Sequence, residues 1–352
     1  MTKPYYPGLS GLRAIAAFLV LFTHVEEMRQ LRGMKGLVDP GFNAFLGGVA
    51  VTFFFVLSGL LITGLLLTEK KQSGTIRMKR FFINRALRIW PLYYLVLFAG
   101  YGISIFLFHE TDTDIFTNGM LLGSLLLPNV AFASGLLPKI LVQLWSIGPE
   151  EQFYFSWPFL IRRLRPQTLA CVFIGIILFW AAAIGALRVF YGPDTWLHAL
   201  LFRTRIDCMA IGGLSALLLF YHGATDGRRT AIYRLFQRRE TGWVAAALFT
   251  GLLVISYHYH VSLYQLYAAL SALLILRVMT RPAGWLEMPS LRYLGRISYG
   301  VYLLHPFAIY LIFSFVKGGP AVLFFLASAA LTVGLAALSY RFYESRFLKR
   351  KQ

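Results

Sequence analysis

The chain has 352 residues, of which 58% are hydrophobic, 16% aromatic and only 14% charged. A soluble domain is about half apolar and one quarter charged, so this composition excludes an ordinary water-soluble fold. The formal charge of +19 raises nucleic-acid binding as an option, which only the placement of the Lys and Arg residues can decide.

Apolar windows at 9–25, 45–67, 90–108, 142–163, 168–190, 206–222, 242–257, 260–279, 296–316 and 320–342 each have about the length a helix needs to cross roughly 30 Å of hydrocarbon. They predict an all-α membrane protein, a polytopic bundle of about ten transmembrane helices forming a single domain over 1–352. The first window carries Arg13 and lacks a small-residue cleavage site, so it reads as a retained span rather than a removed signal. A further apolar stretch, 115–133, is interrupted by Asn118, Gly119, Gly123, Pro128 and Asn129, which suits a re-entrant or interfacial segment.

Ten crossings with both termini cytoplasmic put 26 of the 34 Lys and Arg residues on the cytoplasmic side and 8 outside, the bias expected of inner loops. Clusters such as Lys70-Lys71, Arg77-Met78-Lys79-Arg80, Arg162-Arg163 and Arg228-Arg229 then report orientation, and no nucleic-acid partner is expected. Cys171 and Cys208 lie in apolar stretches without a CxxC pair, so they read as packing residues, and no metal site is expected.

Charge within a span costs on the order of 2.5–3.5 kcal/mol and needs a reason. Arg13 and His24 are eleven residues apart, which brings them to one face of a helix about 16 Å apart along its axis. Arg13 reaching back to the inner interface and His24 closing the outer end is the plain alternative. Ser58-Gly59 suits a small-residue helix contact, or else a nucleophile. Arg85 and Arg88, at i,i+3 before the third window, could hold a polyphosphate or anchor the chain at the interface. In Trp145-Ser146-Ile147-Gly148-Pro149-Glu150-Glu151-Gln152-Phe153-Tyr154 two adjacent acids enter an apolar span, and only one of them can face an interior cavity. Arg203 and Asp207 could neutralise each other at i,i+4, with Arg205 between. At His305-Pro306 the proline frees a carbonyl that a polar neighbour can satisfy.

Together these segments resemble membrane acyltransferase family 3, bacterial integral-membrane O-acyltransferases of surface and secreted glycans. The resemblance runs through Arg13 with His24, Phe53 to Thr63 around Ser58, Arg85 with Arg88, Trp145-Ser146 with Glu150, Gln152, Phe153 and Tyr154, Arg205 with Asp207, and Gly295 to Pro306. Ser10 replaces an aspartate often found three residues before the motif arginine and could cap the helix start. Arg346 stands where the family commonly has proline. No extracytoplasmic esterase-like domain of the kind some relatives carry is expected, so acyl transfer would be completed by the membrane domain or by a separate partner.

The resemblance implies an acyl-CoA donor, acetyl-CoA by default, in the cytoplasm, and a glycan, glycolipid or small-molecule hydroxyl as acceptor at the outer side of the plasma (bacterial inner) membrane. Arg85 and Arg88 would bind the donor phosphates, and His24 would act as general base with Glu150 orienting it and Arg13 lining the path. Trp145, Ser146, Gln152, Tyr154, Ser58, Arg205, Asp207 and His305 are further polar candidates. Other readings of the same pattern are a transporter or exporter of a lipid-linked glycan, and a non-catalytic partner in a glycan-assembly complex.

Overall fold

The computed structural model describes residues 6–192, 194–222, 231–259 and 263–351, and the Arg228-Arg229 pair lies outside them. Ten long helices stand where the ten apolar windows lie: α1 (Leu9–Leu31), α2 (Pro40–Ser73), α3 (Met78–Phe106), α4 (Ile147–Arg163), α5 (Pro166–Tyr191), α6 (Ile206–His222), α7 (Arg239–Tyr259), α8 (Tyr264–Thr280), α9 (Ser298–Phe315) and α10 (Ala321–Leu338). No strand occurs among the described residues. Among the described residues, eight helical stretches are long and apolar enough to cross a bilayer, the 17-residue α6 only together with the short helix Trp196–Thr204 before it; α4 and α8, at 17 residues each, are shorter.

The windows mark where each helix is apolar, and caps fix where it ends. Helix α1 passes its window by six residues and stops where Gly33 takes a left-handed turn (φ 71°), a conformation glycine adopts without a β-carbon clash. Asp39 opens α2 by accepting the Phe42 N–H at 3.1 Å, with Pro40 in the first turn. Helix α3 begins twelve residues before its window, so Arg85 and Arg88 lie within it rather than ahead of it. The 115–133 stretch is broken into Ile115–Gly119, Met120–Ser124 and Pro128–Ala133, none long enough to span. Ser10 does not cap α1: the helix starts at Leu9 after a left-handed Gly8, whose N–H donates to the Glu287 carboxylate.

Much of α5 and α7 is exposed, including Leu178, Phe179, Val189 and Phe190 on one and Trp243, Val244, Leu248 and Val254 on the other. Water would penalise such continuous apolar surface, whereas lipid tails solvate it. The protein is therefore a multi-pass membrane protein. Cys208 is fully buried, as a packing residue should be, but Cys171 is exposed on α5.

The chain forms two compact units, each drawing on separated segments. The first comprises Met1–Thr75, Leu160–Ile177 and Asp207–Ser298; the second comprises Ile76–Phe159, Leu178–Ile206 and Tyr299–Gln352. In the first, α2 and α6 cross with backbones touching: a β-carbon at Gly59 would collide with the Met209 carbonyl, and one at Gly212 with the Val56 carbonyl. The small-residue reading of Ser58-Gly59 is what the fold uses. Lys70 has a task beyond orientation, since its ammonium donates to the Ile161 and Leu164 carbonyls at 2.7 and 3.0 Å and closes the end of α4.

Candidate functional site

The first unit holds Arg13, His24, Ser58 and Asp207. His24 is half-buried on α1, and its Nδ1 lies 2.9 Å from the Val20 carbonyl one turn back. A carbonyl oxygen can only accept, so Nδ1 carries the hydrogen and, in the neutral ring, Nε2 holds the lone pair. A backbone group of the same helix thus fixes the tautomer.

Two residues beyond His24 lies a pair that the motifs do not contain. Glu26 and Arg29 are buried and form a 2.6 Å ion pair; Glu26 also accepts the Leu37 N–H at 2.7 Å, and Arg29 donates to the Lys35 carbonyl at 2.8 Å. The pair fastens the α1–α2 connection to the end of α1. Its signal in the sequence is the i,i+3 spacing of opposite charges on one helix face. Asp207, also buried, accepts from the Gln265 amide at 2.8 Å.

Arg203 and Asp207 do not share a helix. Arg205 is left-handed (φ 44°) and ends the short helix Trp196–Thr204 before α6 begins, so the i,i+4 relation is lost. Arg203 instead lies over the Phe132 ring, 4.3 Å from its centre.

The second unit gathers most of the other candidates. Arg205 is buried, donates from Nε to the Phe202 carbonyl at 3.0 Å, and stacks 5.9 Å from the Trp145 ring. The Gln152 amide donates to Asn129 at 3.1 Å, and the Asn129 amide in turn reaches the Thr204 hydroxyl at 3.4 Å. Asn129 comes from the broken 115–133 stretch, so that irregular segment supplies a buried polar side chain to α4.

On α4 the two acids take different partners. Glu150 accepts from the Tyr154 hydroxyl at 3.2 Å, and Glu151 accepts from Trp90 Nε1 at 3.0 Å while its other oxygen is buried without a hydrogen bond. The guanidinium of Arg85 lies 5.3 Å from the Tyr154 ring and within electrostatic range of Glu150, Glu151 and Arg88. Neither Arg85 nor Arg88 makes a hydrogen bond or ion pair among the described residues; Arg85 lies over the Phe81 and Tyr154 rings. Two guanidinium forks on one helix face with their N–H groups uncommitted can receive an anion.

A third cluster joins Ser146 to α9. The Tyr302 hydroxyl donates to the Gln143 carbonyl at 2.9 Å and lies 2.7 Å from Ser146 Oγ, while the Gln143 amide donates to the Leu303 carbonyl at 3.1 Å. Pro306 has no N–H for the Tyr302 carbonyl, and His305 Nδ1 takes that carbonyl instead at 2.6 Å. The carbonyl freed by the proline is thus satisfied by a polar neighbour, His305. Gln143 and Tyr302 were not singled out in the sequence, because a short 3₁₀ segment, Lys139–Ser146, carries Gln143 and nothing local marks it as buried.

The family model for an acyltransferase domain matches residues 6–341. The chain is 28% identical to the peptidoglycan O-acetyltransferase of Listeria monocytogenes, over 99% of its own length and 56% of the relative's. It is 28% identical to a provisionally named O-acetyltransferase of Staphylococcus aureus strain COL, over 98% and 58%. It is 27% identical to a provisionally named peptidoglycan O-acetyltransferase of Bacillus subtilis, over 97% and 54%. The chain thus spans little more than half the length of these relatives. No solved structure matches.

Proposed function

Because the chain belongs to the acyltransferase 3 family, we propose that it is an O-acetyltransferase of the plasma membrane that takes an acyl group from cytoplasmic acyl-CoA and places it on a hydroxyl of a glycan or glycolipid at the outer side. The observation that carries this reading is His24, whose Nδ1–H is held by the Val20 carbonyl so that Nε2 keeps its lone pair. Alcohols are weak nucleophiles at neutral pH, and a positioned imidazole that accepts the proton during attack lowers that barrier.

The acceptor oxygen bonds to the thioester carbonyl carbon while its proton passes to His24 Nε2. The C–S bond then breaks, and the departing thiolate takes that proton to leave as free CoA. No covalent acyl-enzyme is required, and the α2–α6 crossing is made by Gly59, next to Ser58, against the Met209 carbonyl. Arg85 and Arg88 bind the donor's phosphates, since a polyanion does not enter hydrocarbon unaided.

His24→Ala abolishes acetyl transfer from acetyl-CoA to acceptor in membrane vesicles, while the protein stays inserted and runs as one species in detergent. A loss of about 10²–10⁴-fold is expected for removal of a general base. Activity at the parent level would remove His24 from the mechanism, and movement of an unmodified acceptor across the vesicle without acyl-CoA consumption would favour transport instead.

A further inference from the structure

Glu344 is a buried acid that the reaction above leaves unused. It closes a π-helical turn, Ser339–Glu344, in the helix that continues from α10. In an α-helix, residues five apart lie about 140° around the axis from one another. The wider turn brings them to one side, so the Ser339 hydroxyl donates to Glu344 Oε1 at 3.0 Å. Single wide turns of this kind recur at functional positions in helices.

Neighbouring residues fasten this acid to α3. A β-carbon at Gly300 would come 3.4 Å from the same Oε1, so glycine admits the carboxylate against α9. Tyr299, beside it, donates to the Ile89 carbonyl at 2.8 Å, and Tyr343 donates to the Pro91 carbonyl at 3.1 Å. Glu344 therefore sits between two ties to the turn of α3 that follows Arg88. A carboxylate only 8% exposed is costly unless positive charge opposes it. The stretch of α3 to which these ties run carries Arg88, which makes no ion pair among the described residues.

We infer that Glu344 is a positioning residue for the donor site: its charge orients the Arg88 guanidinium toward a phosphate yet leaves the N–H groups uncommitted for it. A direct ion pair would have to be broken by each incoming donor. The inference rests on the assignment of Arg85 and Arg88 to the donor phosphates.

The test uses the full chain in detergent or nanodiscs, with CoA as the titrated probe and acetyl-CoA as the kinetic substrate. Glu344→Gln raises the Kd of CoA and the KM of acetyl-CoA about five- to tenfold with kcat little changed, and Glu344→Asp restores part of the loss. In an Arg88→Ala background, Glu344→Gln adds nothing further. Unchanged or tighter CoA binding in Glu344→Gln, or losses that add in full with those of Arg88→Ala, overturn the inference while leaving the phosphate assignment intact. Unchanged CoA binding in Arg88→Ala removes the assignment itself and the inference with it. Should Glu344→Gln fail to fold, Ser339→Ala removes the hydroxyl that holds the carboxylate and gives a smaller loss in the same direction; no loss there counts against the proposal.

Discussion

The polar side chains of the second unit are held by one another, and each link predicts a cost. Asn129 accepts from Gln152 and donates toward Thr204, so Asn129→Ala strands the Gln152 amide in apolar surroundings. Destabilisation of about 1–2 kcal/mol is expected, read as a lower thermal midpoint of the detergent-solubilised protein; an unchanged midpoint would mean that Gln152 finds another acceptor. Some of this cluster was legible in the sequence, because Trp145, Ser146, Glu150, Gln152 and Tyr154 are polar or aromatic residues in one apolar run and lipid makes such placements costly. Gln143, Asn129 and Tyr302 were not legible. Each becomes significant only through a partner far along the chain, such as the 159 positions between Tyr302 and Gln143.

Helix positions were the most readable feature, since a bilayer demands a continuous apolar run for every crossing and ten such runs became ten helices. Helix ends were less readable, because caps such as Asp39 and the left-handed Gly33 decide them and not hydrophobicity. The interruption at Arg205 was hidden for a related reason: a left-handed arginine has no local signature, and the i,i+4 spacing across it suggested a continuous helix. Close helix packing yields a direct comparison. Gly59→Ala forces α2 from the Met209 carbonyl and destabilises the protein by about 1–3 kcal/mol. Gly64→Ala, on the same helix with nothing within 4 Å of its would-be β-carbon, is neutral or slightly stabilising because alanine favours helix. Equal midpoints for the two variants would refute the tight crossing.

Across the molecule, we propose that the excess of Lys and Arg in alternate connections orients the chain with both ends in the cytoplasm. A green fluorescent protein fused after Lys351 is then fluorescent and an alkaline phosphatase at the same point is inactive; the opposite pair of results would invert the topology and place Arg85 and Arg88 away from cytoplasmic CoA. Composition and charge distribution made the membrane class readable without any structural information. The assembly of each unit from separated segments was beyond such reading, since apolar periodicity reports that a helix is buried or lipid-facing but not which distant segment it meets.

The tie between Gly8 and Glu287 spans 279 positions, and Ser10 and Gly11 rest against Gly295 and Leu286 in the same region. At ribosomal speeds of about 5–20 residues per second, the opening helix waits on the order of tens of seconds for its partner to be made. Until then its docking face must be tolerated by lipid or shielded by the insertion machinery.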